Sequence, residues 1–152
     1  MKLVMAISAD GFVAKNDHDT MEWLGHTDKK VFRILTGVGG ICAAGRVTAD
    51  ILPHLGARRV IRLTRDGMTL DHVAGLYPNA WLLGGQIAAI NAFLRGYIQE
   101  VHLCRSMVKI KTGIPEMITP WLKKPVMITP IDNVILEVYR RDAIRKRIGQ
   151  VI

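Results

Sequence analysis

Short apolar runs alternate along the chain with longer amphipathic or small-residue stretches, and this alternation limits the possible folds more than any other feature. Apolar runs bounded by glycine or polar residues predict buried strands, and the stretches between them predict helices covering a largely parallel sheet. The predicted strands are Leu3 to Ile7, Ile41 to Ala44, Val60 to Leu63, Trp81 to Leu83 and Val101 to Cys104. The predicted helices are Asp28 to Leu35, Arg46 to Leu52 (stopped by Pro53) and Gln86 to Leu94. Pro125 to Tyr139 predicts a β-hairpin turning at Asp132-Asn133, so the fold class is α/β, a mostly parallel sheet with a C-terminal hairpin.

One domain spanning residues 1–152 accounts for the composition. Of the 152 residues, 49% are hydrophobic and 22% charged, which is enough apolar material for a sizeable core. The longest uncharged stretch, Trp81 to Leu94, is too short to cross a bilayer, and the N-terminus lacks a signal-peptide pattern, so we expect a cytoplasmic protein with no membrane contact. Cys42 and Cys104 lie in apolar runs without a partner at metal-ligand spacing, which predicts neither a disulfide framework nor a metal site.

The net charge of +8 is concentrated at the C-terminal end. Residues 1–50 are neutral overall, residues 51–100 carry +2 and residues 101–152 carry +6. We expect the basic tail, about residues 140–152, to be solvated rather than bound to nucleic acid. No aromatic residue is interleaved with its charges after Tyr139.

Several segments have residue types suited to chemistry. Asp28 and Phe32 share one helix face that could line a pocket, although an acidic residue at a helix start also complements the helix dipole. Gly45 to Thr48 and Leu83 to Gly85 each place glycine between a strand and a helix, where backbone N–H groups suit a phosphate, or where the glycine only permits a turn. Ser8 to Trp23 has little apolar periodicity and predicts a long, mobile, functional loop.

In order and spacing, these segments resemble the dihydrofolate reductase family over nearly the whole chain. The matching residues are Trp23, Asp28 and Phe32, then Ala44-Gly45-Arg46-Val47-Thr48, the run from Leu55 to Arg65, and Leu83-Gly84-Gly85. The resemblance implies a single-domain three-layer sandwich, and NADPH-dependent reduction of 7,8-dihydrofolate to tetrahydrofolate.

The resemblance also implies which residues bind the substrate. Asp28 would hold the pterin ring and bring a proton to N5, and Trp23 would border the ring and an ordered water. Apolar side chains would pack around the ring, and Ala6 and Cys104 would complete its pocket. Arg58 would pair with the glutamate tail, although Arg58 and Arg59 beside a strand are more often solvated. The apolar side chains around the ring are those of Phe32, Leu52 and Leu55. Cys104 stands where the family has threonine.

The implied cofactor is NADPH. Gly45, Arg46, Val47 and Thr48 would meet its phosphates, and Thr64 with Arg65 would bind the 2′-phosphate. Gly84 and Gly85, joined by a cis bond in this family, would let the backbone approach the nicotinamide, with Leu83, Gln86 and Ile87 beside them. The loop from Ala14 to Glu22 would close over the nicotinamide.

Two alternatives remain open. Ser8-Ala9-Asp10-Gly11-Phe12-Val13-Ala14 is similar to the related pyrimidine reductases of riboflavin synthesis, which share this fold and cofactor. The other alternative is a nucleic-acid-binding or structural protein that uses the basic C-terminal residues on the same scaffold. We expect a monomer, with a homodimer as the alternative.

Overall fold

The computed structural model describes residues 1–37, 40–51 and 59–146. In these ranges the strands are β1 (Lys2–Ile7), β2 (Phe12–Ala14), β3 (Ile41–Ala44), β4 (Arg59–Arg62), β5 (Trp81–Leu82), β6 (Glu100–Ser106), β7 (Ile114–Pro115), β8 (Met127–Ile131) and β9 (Val134–Arg140). The α-helices are α1 (Gly25–Leu35), α2 (Arg46–Ile51), α3 (Leu70–Leu76) and α4 (Gln86–Leu94). Short 3-10 helices cover Glu22–Leu24, Thr119–Trp121 and Arg141–Ala143.

The main sheet has seven strands in the order β4-β3-β5-β1-β6-β9-β8. β4, β3, β5, β1 and β6 pair in parallel, and β9 and β8 add an antiparallel hairpin beside β6. β2 and β7 form a separate two-stranded sheet. The mixed α/β class and the C-terminal hairpin are confirmed.

Each face of the main sheet is covered by helices, which makes three layers. On one face, Val31 of α1 packs with Cys104, Leu136 and Val138. On the other, a larger cluster joins alternate β1 residues such as Leu3 to side chains of α3 and α4. Alternation along a strand sends successive side chains to opposite faces, so one strand contributes to both cores.

The predicted strand at residues 41–44 and the helix at residues 86–94 have the bounds that the structure shows. α1 begins at Gly25 rather than Asp28, because the 3-10 helix Glu22–Leu24 runs into it without a capping side chain. Helix α3 was not predicted, although Thr69 caps it by accepting a hydrogen bond from the His72 N–H at 3.2 Å.

Two other predictions need correction. The segment from Ser8 to Trp23 is not one loop: it contains β2 and part of a 3-10 helix, because β2 finds its partner β7 a hundred residues later in the chain. The basic tail is not wholly solvated either. Ala143 is buried, Ile144 bridges to Leu122, and the Arg145 N–H donates to the Trp121 carbonyl at 2.7 Å. Residues 147–152 lie outside the described part of the chain.

Within the described residues, no helix is both long enough and apolar enough to cross a membrane. The same part of the chain holds no group of three or more His, Cys, Asp or Glu side chains arranged to bind a metal ion.

Candidate active site

A buried carboxylate lies between α1 and the central strands. Asp28, in the first turn of α1, is only 7% exposed, and Cys104 of β6 is hydrogen-bonded to it. Burial raises the pKa of the Asp28 carboxyl from its ordinary 3.8 to about 6, and the Cys104 hydrogen bond and Lys29 only partly oppose this. Burial and the neighbouring carboxylate raise the pKa of the Cys104 thiol to about 12, so the thiol stays protonated and donates a hydrogen bond to the Asp28 carboxylate.

The structure argues against Asp28 as a helix-capping residue. Leu24 occupies the N-cap position of α1, and no side chain caps the helix there. Burial has the largest effect on the pKa of the Asp28 carboxyl and raises it, and no backbone hydrogen bond of the capping kind is among the causes that lower it. Asp28 is therefore a buried carboxylate in the first turn of α1 that does not cap the helix.

Ala6 and Phe32 lie on the same side of the sheet as Asp28. Ala6 pairs in register with Cys104 and packs against the cluster beneath α1. Phe32, one turn along α1, packs with Leu83 against the cluster formed by Val4, Cys42 and Trp81. Asp28, Ala6 and Cys104 are thus brought together on the α1 side of the sheet, and Phe32 packs beside them against a second cluster.

The two glycine-containing junctions meet at these strand ends. The Gly45 N–H donates to the Gly84 carbonyl at 2.9 Å, and the Gly84–Gly85 bond has the expected cis form. A Cβ at Gly85 would lie 3.3 Å from the Thr48 hydroxyl oxygen, and Gly84 has a φ of +111°, which side chains disfavour. Glycine leaves a cradle of backbone here, which fits close approach by a ligand.

A cationic cavity adjoins the cradle. Arg46, Thr64 and Arg65, all predicted to meet NADPH, line it together. The Thr64 hydroxyl oxygen accepts a hydrogen bond from the Gly67 N–H at 2.9 Å, and the hydroxyl can still donate its own proton in a second hydrogen bond. Arg62 and the carboxylate Asp66 also line this cavity, which leaves three arginines against one aspartate, and Arg62 is paired with Asp50 at 3.3 Å. The sequence analysis missed Arg62, although its place at the end of β4 is the same kind of strand-end signal.

The remaining predicted site residues lie more widely apart. Val47 is 40% exposed and Ile87 79% exposed. The Trp23 indole N–H donates to Asp19 at 2.9 Å, and Ala14 ends β2. Leu52, Leu55 and Arg58 lie outside the described residues, so their predicted substrate contacts stay predictions.

Gln86 was predicted to bind the cofactor, but its side chain is engaged elsewhere. Its amide N–H₂ donates to the Pro115 carbonyl at 2.8 Å, and its amide oxygen accepts from the Met117 N–H at 2.6 Å. The predicted cofactor contact is left to the Gln86 backbone, the second amide N–H and the second lone pair of the amide oxygen.

Comparison with known proteins establishes the fold. No protein-family model matches the chain, and no curated protein gives a significant sequence match. A solved structure described as "Putative riboflavin biosynthesis protein", from Shewanella sp. PV-4, matches with a TM-score of 0.63, covering 91% of this chain and 97% of that chain. The fold is dihydrofolate reductase-like. At 14% sequence identity the likeness shows the fold alone, which many different activities can share.

Proposed function

We propose that this protein is an NADPH-dependent reductase that acts on a C=N bond conjugated with a nitrogen heterocycle. The buried carboxylate of Asp28 is the observation that carries the proposal. Reduction of a C=N bond adds a hydride to carbon and a proton to nitrogen, so the site needs an acid near the reacting nitrogen. With a pKa of about 6, Asp28 is partly protonated near neutral pH, when an ordinary aspartate is almost fully ionised.

The cationic cavity supports NADPH over NADH. Arg46 and Arg65 can each form charge-assisted hydrogen bonds to a phosphate, and Thr64 can donate a further one. NADPH differs from NADH by the 2′-phosphate, so a cavity with several cations discriminates between them. The glycine cradle at Gly84 and Gly85 would meet the nicotinamide end of NADPH.

When bound, NADPH supplies the hydride and leaves as NADP⁺. Asp28 binds and orients the heterocycle, and it holds the proton destined for the reacting nitrogen. Cys104 orients the Asp28 carboxyl through the thiol hydrogen bond. Phe32 and Ala6 give the pocket apolar walls, which exclude water and maintain the raised pKa.

The leading substrate is a phosphorylated aminopyrimidine of the riboflavin pathway, whose sugar-linked C=N bond would be reduced. The solved structure with this fold that carries a riboflavin biosynthesis description supports it, as does the similarity of residues 8–14 to the pyrimidine reductases. The second candidate is 7,8-dihydrofolate, reduced at its N5=C6 bond. The observation that favours dihydrofolate is the Asp28 carboxylate on α1 with Cys104 beside it, in the order that the dihydrofolate reductase resemblance implies.

A spectrophotometric assay of NADPH oxidation tests the proposal. The wild-type protein is supplied in turn with dihydrofolate and with the phosphorylated ribosylaminopyrimidine, and the substrate that is consumed identifies the reaction. We expect Asp28→Asn to lower turnover at neutral pH by about a hundredfold or more, with partial recovery as the pH falls and solvent supplies the proton.

Asp142→Asn is the matched control, because Asp142 is an exposed carboxylate in the 3-10 helix at residues 141–143. Its turnover should equal that of the wild type. The proposal would be contradicted if neither substrate supported NADPH oxidation, or if Asp28→Asn kept full activity above pH 7.

A further inference from the structure

The Gln86 side chain joins two parts of the candidate site that are distant in sequence. Gln86 is the first residue of α4 and directly follows the Gly84–Gly85 cradle. Its amide holds both ends of a short backbone segment, donating to the Pro115 carbonyl at 2.8 Å and accepting from the Met117 N–H at 2.6 Å. A primary amide makes this pair of bonds because it carries a donor and an acceptor side by side.

The segment that Gln86 holds belongs to the layer formed by β2 and β7. Pro115 lies in β7 and pairs with Phe12 of β2, and the Glu116 N–H donates to the Gly11 carbonyl at 3.0 Å. The Glu116 carboxylate accepts from the Ile118 N–H at 2.8 Å, which fixes the chain just beyond the segment. Movement of the segment therefore carries β2 with it.

Further contacts hold the two halves of the same layer to each other. The Asp10 carboxylate accepts from the Ile110 N–H at 3.1 Å and from the Lys111 N–H at 2.8 Å. Gly113 lies so close to Ala14 that a Cβ there would be 2.3 Å from the Ala14 carbonyl oxygen. Val13 and Ile114 pack the layer against the main core, and Gln86 supplies a hydrogen-bonded side-chain link from the layer to the glycine cradle.

We propose that Gln86 is a positioning residue that sets the β2/β7 layer against the glycine cradle and so fixes the geometry for hydride transfer. This inference rests on the proposed reductase function. Gln86 acts through Pro115 and Met117, not through contact with substrate. Its loss should slow hydride transfer more than it weakens NADPH binding, because the cationic cavity at Arg46 and Arg65 is a separate part of the site.

Two substitutions and a control test this on the full chain. Gln86→Ala removes both hydrogen bonds, whereas Gln86→Glu keeps an acceptor for the Met117 N–H but loses the donor to the Pro115 carbonyl. The control is Asn91→Ala, because Asn91 is an exposed amide on the same helix. The readouts are amide hydrogen exchange at Met117, the NADPH dissociation constant, turnover, and the deuterium isotope effect on turnover with 4-deuterated NADPH.

For Gln86→Ala we expect faster exchange at Met117 by about tenfold, and turnover lowered by about tenfold with a larger isotope effect. The dissociation constant for NADPH should change by less than about threefold. Gln86→Glu should lower turnover to a similar extent, and Asn91→Ala should match the wild type in every readout.

An unchanged isotope effect and turnover in Gln86→Ala, whether or not Met117 exchange rises, would overturn the positioning role. A loss of NADPH affinity as large as the loss of turnover would also overturn it, because it would mean a cofactor contact. If the wild-type protein itself binds no NADPH, the proposed function fails and this inference fails with it.

Discussion

Replacing Asp28 with asparagine should stabilise the folded protein at alkaline pH while impairing the proposed reaction. Burial raises the pKa of Asp28 from 3.8 to about 6, so the folded state holds the proton more tightly than the unfolded state does. The folded state is then progressively destabilised as the pH rises from below 3.8 through 6, and the full cost is present above that range. This difference between the folded and unfolded pKa of Asp28 lowers the free energy of unfolding by about 3 kcal/mol at pH 8.

Asparagine has nearly the same shape and can still accept the Cys104 hydrogen bond, but it carries no charge to desolvate. Between pH 5 and pH 8, wild-type stability should therefore fall by about 1 kcal/mol more than that of Asp28→Asn. Other titrating groups are common to both proteins and cancel in the comparison. The physical cause is the cost of burying a carboxylate, which is a common source of strain at functional sites.

Urea unfolding followed by circular dichroism at several pH values between 5 and 8 measures this difference. Asp142→Asn should follow the wild-type pH dependence, because Asp142 is exposed. If Asp28→Asn and the wild type change in parallel across this range, the Asp28 carboxylate is not desolvated. The raised pKa, and the proton-holding role that depends on it, would then be refuted.

The other predictions concern the cavity and the β2/β7 layer. Replacing Arg46 and Arg65 together with alanine should lower the preference for NADPH over NADH by about a hundredfold or more, since each charge-assisted bond contributes about 1.5–3 kcal/mol; an unchanged ratio of kcat/KM for the two cofactors would place the 2′-phosphate elsewhere. Gly113→Ala should destabilise the protein by about 2 kcal/mol or more in denaturant unfolding, because its Cβ would meet the Ala14 carbonyl. Gly75→Ala, in α3 where an added Cβ would meet open space, should stabilise it by about 0.5–1 kcal/mol, and equal effects of the two glycine changes would contradict the packing difference between them.

Local sequence pattern was sufficient to predict the elements that have a clear apolar run or turn signal. The run from Ile41 to Ala44 is apolar and bounded by glycine, so its strand could be placed to the residue. The hairpin at Asp132-Asn133 could be placed in the same way, because turn residues separate two strand-like runs. By contrast, β2 and β7 are short and pair only with each other across about a hundred residues, so nothing local marks either of them.

The candidate site also has features that the sequence could predict and features that only the tertiary structure could show. The sequence pattern placed Asp28 on a helix face and Gly45 and Gly84 at strand ends, because strand and helix periods fix which residues end together at one edge of a parallel sheet. Arg65 became a candidate only through the resemblance to the dihydrofolate reductase family. Only the tertiary structure decided that Asp28 is buried against Cys104, because desolvation depends on every atom around a carboxylate and not on its neighbours in sequence. The tertiary structure also decided that the Gln86 amide bonds to Pro115 and Met117, since hydrogen-bond partners so far apart in the chain leave no mark in local pattern.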